Sequence, residues 1–129
     1  MNKKDKEDLF EQIAYDFEHT ELSENALVEI GNVIIKTTVS EEDPVVLESM
    51  FHALFTLVDF HDIAKRLNMD VIIENLQKYD QQCTDYILGM LSYTGDMKYL
   101  DVIQQIHERF PNLQIEDDVK ELKGRAAML

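Results

Sequence analysis

The sequence predicts an all-α protein, a single-domain stack of antiparallel helical hairpins with about seven or eight helices. Three observations predict it. Apolar residues recur every three or four positions through most of the chain, which places them on one face of successive helices. Four glycines and two prolines force few turns. Sliding the chain by thirty-six residues brings Phe51 onto Ile87, Leu54 onto Met90, Phe55 onto Leu91, Ile63 onto Tyr99 and Leu67 onto Ile103. Stacked helical pairs produce repeats of about 34 to 47 residues, because one pair cannot cover its own apolar face and needs a neighbour.

In the first element Leu9, Phe10, Ile13, Ala14 and Phe17 share a face, with Glu7, Glu11 and Glu18 expected together on the opposite one. Glu21–Asn25 interrupts the pattern. Ser23 then caps a second helix whose stripe is Leu27, Ile30, Gly31 and Ile34. After the polar connector Val39–Asp43, Asp43-Pro44 reads as cap and first helical position, since proline has a preset φ and no N–H to leave unpaired. Leu47, Met50, Phe51, Leu54, Leu57 and Val58 supply the core face, and Glu48, Ser49, His52 and Thr56 are expected to meet water.

Phe60–Leu67 and Asp70–Tyr79 read as shorter helices joined near Asn68-Met69-Asp70. Cys83, Tyr86, Ile87, Met90 and Leu91 mark the next helix, which ends at Thr94-Gly95-Asp96. Gly95 suits a left-handed ending, and Asp96 a new cap. Tyr99, Val102, Ile103, Ile106 and Phe110 build another face that stops at Pro111. A last helix, capped by Glu116-Asp117-Asp118, runs from Val119 toward Ala127.

The net charge of -14 is unevenly placed: Glu7 to Ala64 holds fourteen acids and one base, Lys36, while the remaining segments come out at -1. A one-sign field attracts basic proteins and repels nucleic acid and anionic membranes. The expected partner is therefore basic, with no direct nucleic-acid contact. No stretch approaches the roughly 18 apolar residues of a membrane span, Glu7 and Asp8 stand where a signal peptide would place its apolar core, and a lone Cys83 suits a reducing compartment. The expected localisation is cytoplasmic.

The sequence traces of catalysis are sparse. The glycines are isolated and form no phosphate loop, and Gly31 and Gly89 lie inside helical patterns, where close helix contact explains them. His19, His52, His61 and His107 fall on different segments, so no metal is expected, Glu48 with His52 being the nearest approach to a ligand pair. Cys83 lies on an apolar stripe without a base beside it and reads as core rather than nucleophile. His61 and Asp62 are neighbours on a helix and point in different directions. The expectation is a protein that is not an enzyme and uses no cofactor.

From Asp43 to Phe110 the chain resembles HEAT-like helical-repeat proteins, or α-solenoids. The run Ile87-Leu88-Gly89-Met90-Leu91-Ser92-Tyr93-Thr94-Gly95-Asp96 followed by Tyr99-Leu100 looks like the inter-helix turn of such a repeat, without the usual turn arginine and proline. Among small proteins of this build it looks most like immunity proteins of bacterial contact-dependent inhibition and related polymorphic toxin systems. That resemblance implies a stoichiometric inhibitor of a toxin and carries over no functional residue. Joined to the charge, it implies a basic toxin, a ribonuclease effector first, whose substrate groove is occluded. The carboxylates expected to meet it are Glu7, Glu11, Glu18, Glu41, Glu42, Glu48, Asp59 and Asp62. Two alternatives stay open: a phage-type acidic mimic of nucleic acid that inhibits a host nuclease, and a HEAT-like adaptor that holds a peptide through apolar groove residues.

Overall fold

The computed structural model of the chain describes residues 1–128. Among these residues there are seven α-helices and no strand: α1 (Lys3–His19), α2 (Glu24–Ser40), α3 (Pro44–Phe60), α4 (Met69–Glu74), α5 (Gln81–Tyr93), α6 (Leu100–Arg109) and α7 (Glu116–Ala127). Single 3-10 turns at Ala64–Arg66, Leu76–Lys78 and Met97–Tyr99 link the later ones.

Side chains start four of the helices by accepting a first-turn N–H that would otherwise lack a partner. Asn2 accepts from Asp5 N at 2.8 Å, Ser23 from Ala26 N at 3.2 Å, Asp43 from Val45 N at 2.9 Å, and Asp80 from Cys83 N at 2.9 Å. Asp96 accepts from Lys98 N at 3.1 Å and starts the turn into α6. Gly95 has φ of 63°, the left-handed ending read from the sequence, and α7 packs so closely there that a Cβ would fall 2.9 Å from Arg125 Cβ.

Contacts between helices two apart in the chain reveal the architecture. α1 lies beside α3, α3 beside α5 and α5 beside α7, forming one layer; α2 lies over α3 and against α4, and α6 sits between α5 and α7, forming a second. Within each layer the helices run parallel. The start of α1 meets the start of α3 through Lys3–Asp43, and its end meets the end of α3 where His61 Nε2 donates to Phe17 O at 2.7 Å. Asp59–Tyr93 joins the ends of α3 and α5 in the same way, and in the second layer Tyr99 donates to Asp70 at the starts of α6 and α4 while Arg109, at the end of α6, donates to Leu76 O just beyond α4. Consecutive helices are therefore antiparallel, and the chain is a stack of helical hairpins.

The core lies between the layers and centres on α3, where Val46, Phe51, Ala53, Leu54 and Leu57 are all 0 % exposed. Tyr79 sets its ring edge-on to Phe51 with centroids 4.8 Å apart. A Cβ at Gly31 would fall 2.8 Å from Leu67 Cδ2, so the glycine allows α2 to approach as the sequence predicts.

Four local expectations need correction. Ser49 and Thr56, expected at the surface, are buried because α3 has neighbours on both sides of its own layer as well as α2 above it. Leu9, read as core, is 41 % exposed beyond the edge of the α1–α3 contact. Most of Phe60–Leu67 is not a helix: α3 ends at Phe60, and only Ala64–Arg66 makes a turn before Leu67 inserts its side chain under α2. α7 begins at Glu116 with Ile115 as its uncapped boundary, so Glu116, Asp117 and Asp118 occupy its first turn, where the helix dipole still favours them.

Candidate partner-binding face

Parallel packing in the α1, α3, α5, α7 layer brings one stripe from each helix onto a common outer face. On α3 the stripe is Glu48, His52, Phe55 and Asp59, spaced so that all four project from the same side. His52 Nδ1 lies 3.1 Å from a Glu11 carboxylate oxygen on α1, and its ring centroid is 5.7 Å from that of Tyr86 on α5. Phe55 reaches between Tyr86 and Tyr93, at centroid distances of 5.9 and 6.0 Å. It can lie there because Gly89 beneath it has no side chain; a Cβ would collide with the ring. The floor is therefore aromatic.

Carboxylates surround that floor. Tyr93 Oη donates to Asp59 Oδ1 at 2.7 Å, and this bond, with burial, pushes the phenol up to about 12. Burial first, and then the charges of Glu48, Glu11 and Asp85, raise Tyr86 as well. Asp118 on α7 is pushed up to about 6, chiefly by burial and then by Asp85 and Asp117. At the far end Arg125 places its guanidinium 4.6 Å over the Tyr93 ring, 2.9 Å from Glu121 and 3.5 Å from Asp62.

The eight carboxylates nominated from the sequence fall into two groups. Glu11, Glu48 and Asp59 lie on this face, Glu7 and Glu18 continue the Glu11 side of α1, and Asp62 stands at its Arg125 end. Glu7, Glu11 and Glu18 flank the α3 contact rather than oppose it, since Glu11 reaches His52 and Glu7 is half-buried. Glu41 and Glu42 lie away from it, in the α2–α3 connection. Glu41 is held inside the fold: its carboxylate accepts from Asp43 N and Glu42 N, both at 3.0 Å, and pairs with Lys6 at 3.0 Å. The Asp43 bond leads in keeping its carboxyl below the usual range. Its role is to tie the start of α1 to the start of α3.

Three carboxylates of the face, Asp85, Asp118 and Glu121, were not nominated. They belong to the nearly neutral half, where two of the bases, Lys78 and Arg109, are turned elsewhere. Lys78 Nζ donates to Val39 O at 2.6 Å and Glu41 O at 3.1 Å at the end of α2, while Arg109 donates to Leu76 O at 3.0 Å and Gln77 O at 3.2 Å. Such bonds satisfy carbonyls at helix ends and remove those cations from the face. The signal available in the sequence was the spacing Asp118, Glu121, Arg125, which sets three charges on one side of α7.

Among the described residues no group of three or more His, Cys, Asp or Glu side chains is arranged to hold a metal ion, and no helix is long and apolar enough to cross a membrane. Cys83 is 1 % exposed, and burial pushes its thiol up to about 12. His61 is tied to the Phe17 carbonyl. No protein-family model, curated protein or solved structure matches the chain.

Proposed function

We propose that this chain is an immunity protein that neutralises a basic toxin, a ribonuclease effector first among candidates, by laying the outer face of α1, α3, α5 and α7 over the toxin's substrate groove. One observation carries the reading: carboxylates from four helices ring an aromatic floor on which an arginine already sits. Arg125 meets Tyr93, Glu121 and Asp62 in the way a partner's arginine would meet Tyr86, Glu11, Glu48 and Asp85. A groove that binds RNA must be lined with such cations, so a face that receives them competes directly with the nucleic acid. The concentration of negative charge also speeds encounter, which suits an inhibitor that must act before its toxin does. On this reading the protein works in the cytoplasm, without cofactor and without chemistry of its own.

The test is capture of the partner from native cells, followed by binding kinetics. Association should slow as salt rises, since the field reaches only about 8 Å near physiological ionic strength. Changing Glu7, Glu11 and Glu18 together to Lys should slow association about tenfold or more at low salt and remove protection, with helix content intact. The same reversal at Asp101 and Glu108, exposed on α6, should matter much less. Binding indifferent to salt, or more sensitive to the α6 pair, contradicts the proposal.

A further inference from the structure

A wide apolar concavity lies elsewhere, between α1 and α2, with a volume of about 840 Å³. It arises from the stacking: α2 packs over α3 and α4 rather than over α1, so the side of α1 that faces the second layer is left uncovered. Ile13 and Phe17 of α1 form one wall, and Ile30 and Val33 of α2 the other, with Leu22 of the connection at one end. Val33 is 65 % and Leu22 53 % exposed, and with the half-buried Ile13 and Ile30 they line one contiguous apolar surface of the kind that marks a docking site. Asp16 and Glu29 stand at the two rims.

We propose that this groove receives an amphipathic α-helix of the protein's partner, apolar along one stripe and basic on both flanks. The shape argument is one of place: the groove lies beside α2 and over α1, where a further member of the second layer would pack. Its walls run for about two helical turns, from Phe10 to Phe17 and from Ile30 to Thr37, roughly 10 Å each. Apolar residues at i, i+3, i+4 and i+7 of an incoming helix would meet that floor. Charge selects the occupant. The rims are acidic, Lys36 is the one base of α2, and a second copy of the chain would bring another net charge of -14 against them. A partner helix carrying Lys or Arg beside its apolar stripe fits both features.

This inference rests on the reading of the chain as a binder of a basic protein but uses a different surface, so the two can fail separately. The probe is a Leu/Lys amphipathic peptide of about 14 residues, four helical turns, with a control in which Ser replaces Leu at unchanged charge. The expected result is peptide-induced shifts of the Ile13, Ile30 and Val33 methyl resonances, with the Ser/Lys control at least tenfold weaker. The double change Leu22→Asp and Val33→Asp, both at exposed positions, should weaken the peptide at least tenfold without loss of helix content. Equal binding of the two peptides overturns the proposal, as do shifts confined to the Phe55 and Tyr86 face. A dimer in sedimentation that the double change dissociates also overturns it, because the occupant is then a second copy. If the captured partner binds the double variant as well as the parent, the groove assignment falls and the outer-face reading stands. If the double variant loses the captured partner while reversal of Glu7, Glu11 and Glu18 leaves its binding unchanged, the groove assignment stands and the outer-face reading falls.

Discussion

Arg125 lies 4.6 Å above the centroid of the Tyr93 ring while pairing with Glu121 at 2.9 Å, and so occupies one of the carboxylate-lined aromatic sites of the outer face from within the chain. This arginine competes with a partner's. Arg125→Ala should therefore strengthen association with the basic partner and steepen its salt dependence, at a small stability cost for a partly exposed pair, about 0–1 kcal/mol. Stopped-flow association at two salt concentrations checks it. Weaker binding in the variant would mean that Arg125 itself touches the partner.

Phe51 and Leu54 are both 0 % exposed at the centre of α3. Replacing either with Ala should cost about 2–5 kcal/mol, since the lost transfer energy is joined by a cavity that neighbours on three sides cannot close. Urea unfolding measures this, and a loss below about 0.5 kcal/mol, typical of surface changes, would contradict the assigned faces.

Two glycines inside helices should respond in opposite directions. Gly124 has nothing within 4 Å of a Cβ, so Gly124→Ala should stabilise α7 by about 0.5–1 kcal/mol through helix propensity and a less flexible unfolded chain. Gly89→Ala drives a methyl into the Phe55 ring and should destabilise by about 1–3 kcal/mol. Adding Phe55→Ala should recover part of that loss, which a double-mutant cycle would register as coupling.

The Cys83 thiol, buried and pushed up to about 12 by its surroundings, should resist thiol reagents in the native protein at pH 8. Labelling should accelerate only as denaturant opens the fold. Fast labelling of the native chain would mean that α5 opens locally far more often than its packing implies.

Asp118 is pushed up to about 6 from the ordinary 3.8 by burial and by Asp85 and Asp117. Between these values the folded chain keeps a proton that the unfolded chain has released, so the contribution of this group to stability is full in acid and is lost as pH rises through about 6. Carbonyl-detected NMR should give a midpoint near 6 that Asp85→Asn lowers. A bound basic partner would favour the ionised form, so association should also weaken as pH falls below that midpoint. An Asp118 titration at the ordinary value would remove the basis for both expectations.

By itself the sequence determined the helices, most of their boundaries and the location of the core. Ser23, Asp43, Gly95 and Asp96 act as read because capping and left-handed endings depend on residues within one turn. The thirty-six-residue offset foretold the stack, and three of the carboxylates singled out, Glu11, Glu48 and Asp59, share the outer face of α1 and α3. Local pattern misplaced Ser49 and Thr56, since nothing in α3 alone shows that it will have neighbours on three sides. Tertiary structure alone decided which charges meet. Glu41 is engaged by Lys6 from another helix and by the backbone of its own turn, while Asp85, Asp118 and Glu121 join carboxylates of α1 and α3 because parallel helices set residues more than thirty positions apart side by side. The groove between α1 and α2 likewise follows from where α2 packs, a relation between layers rather than a property of either helix.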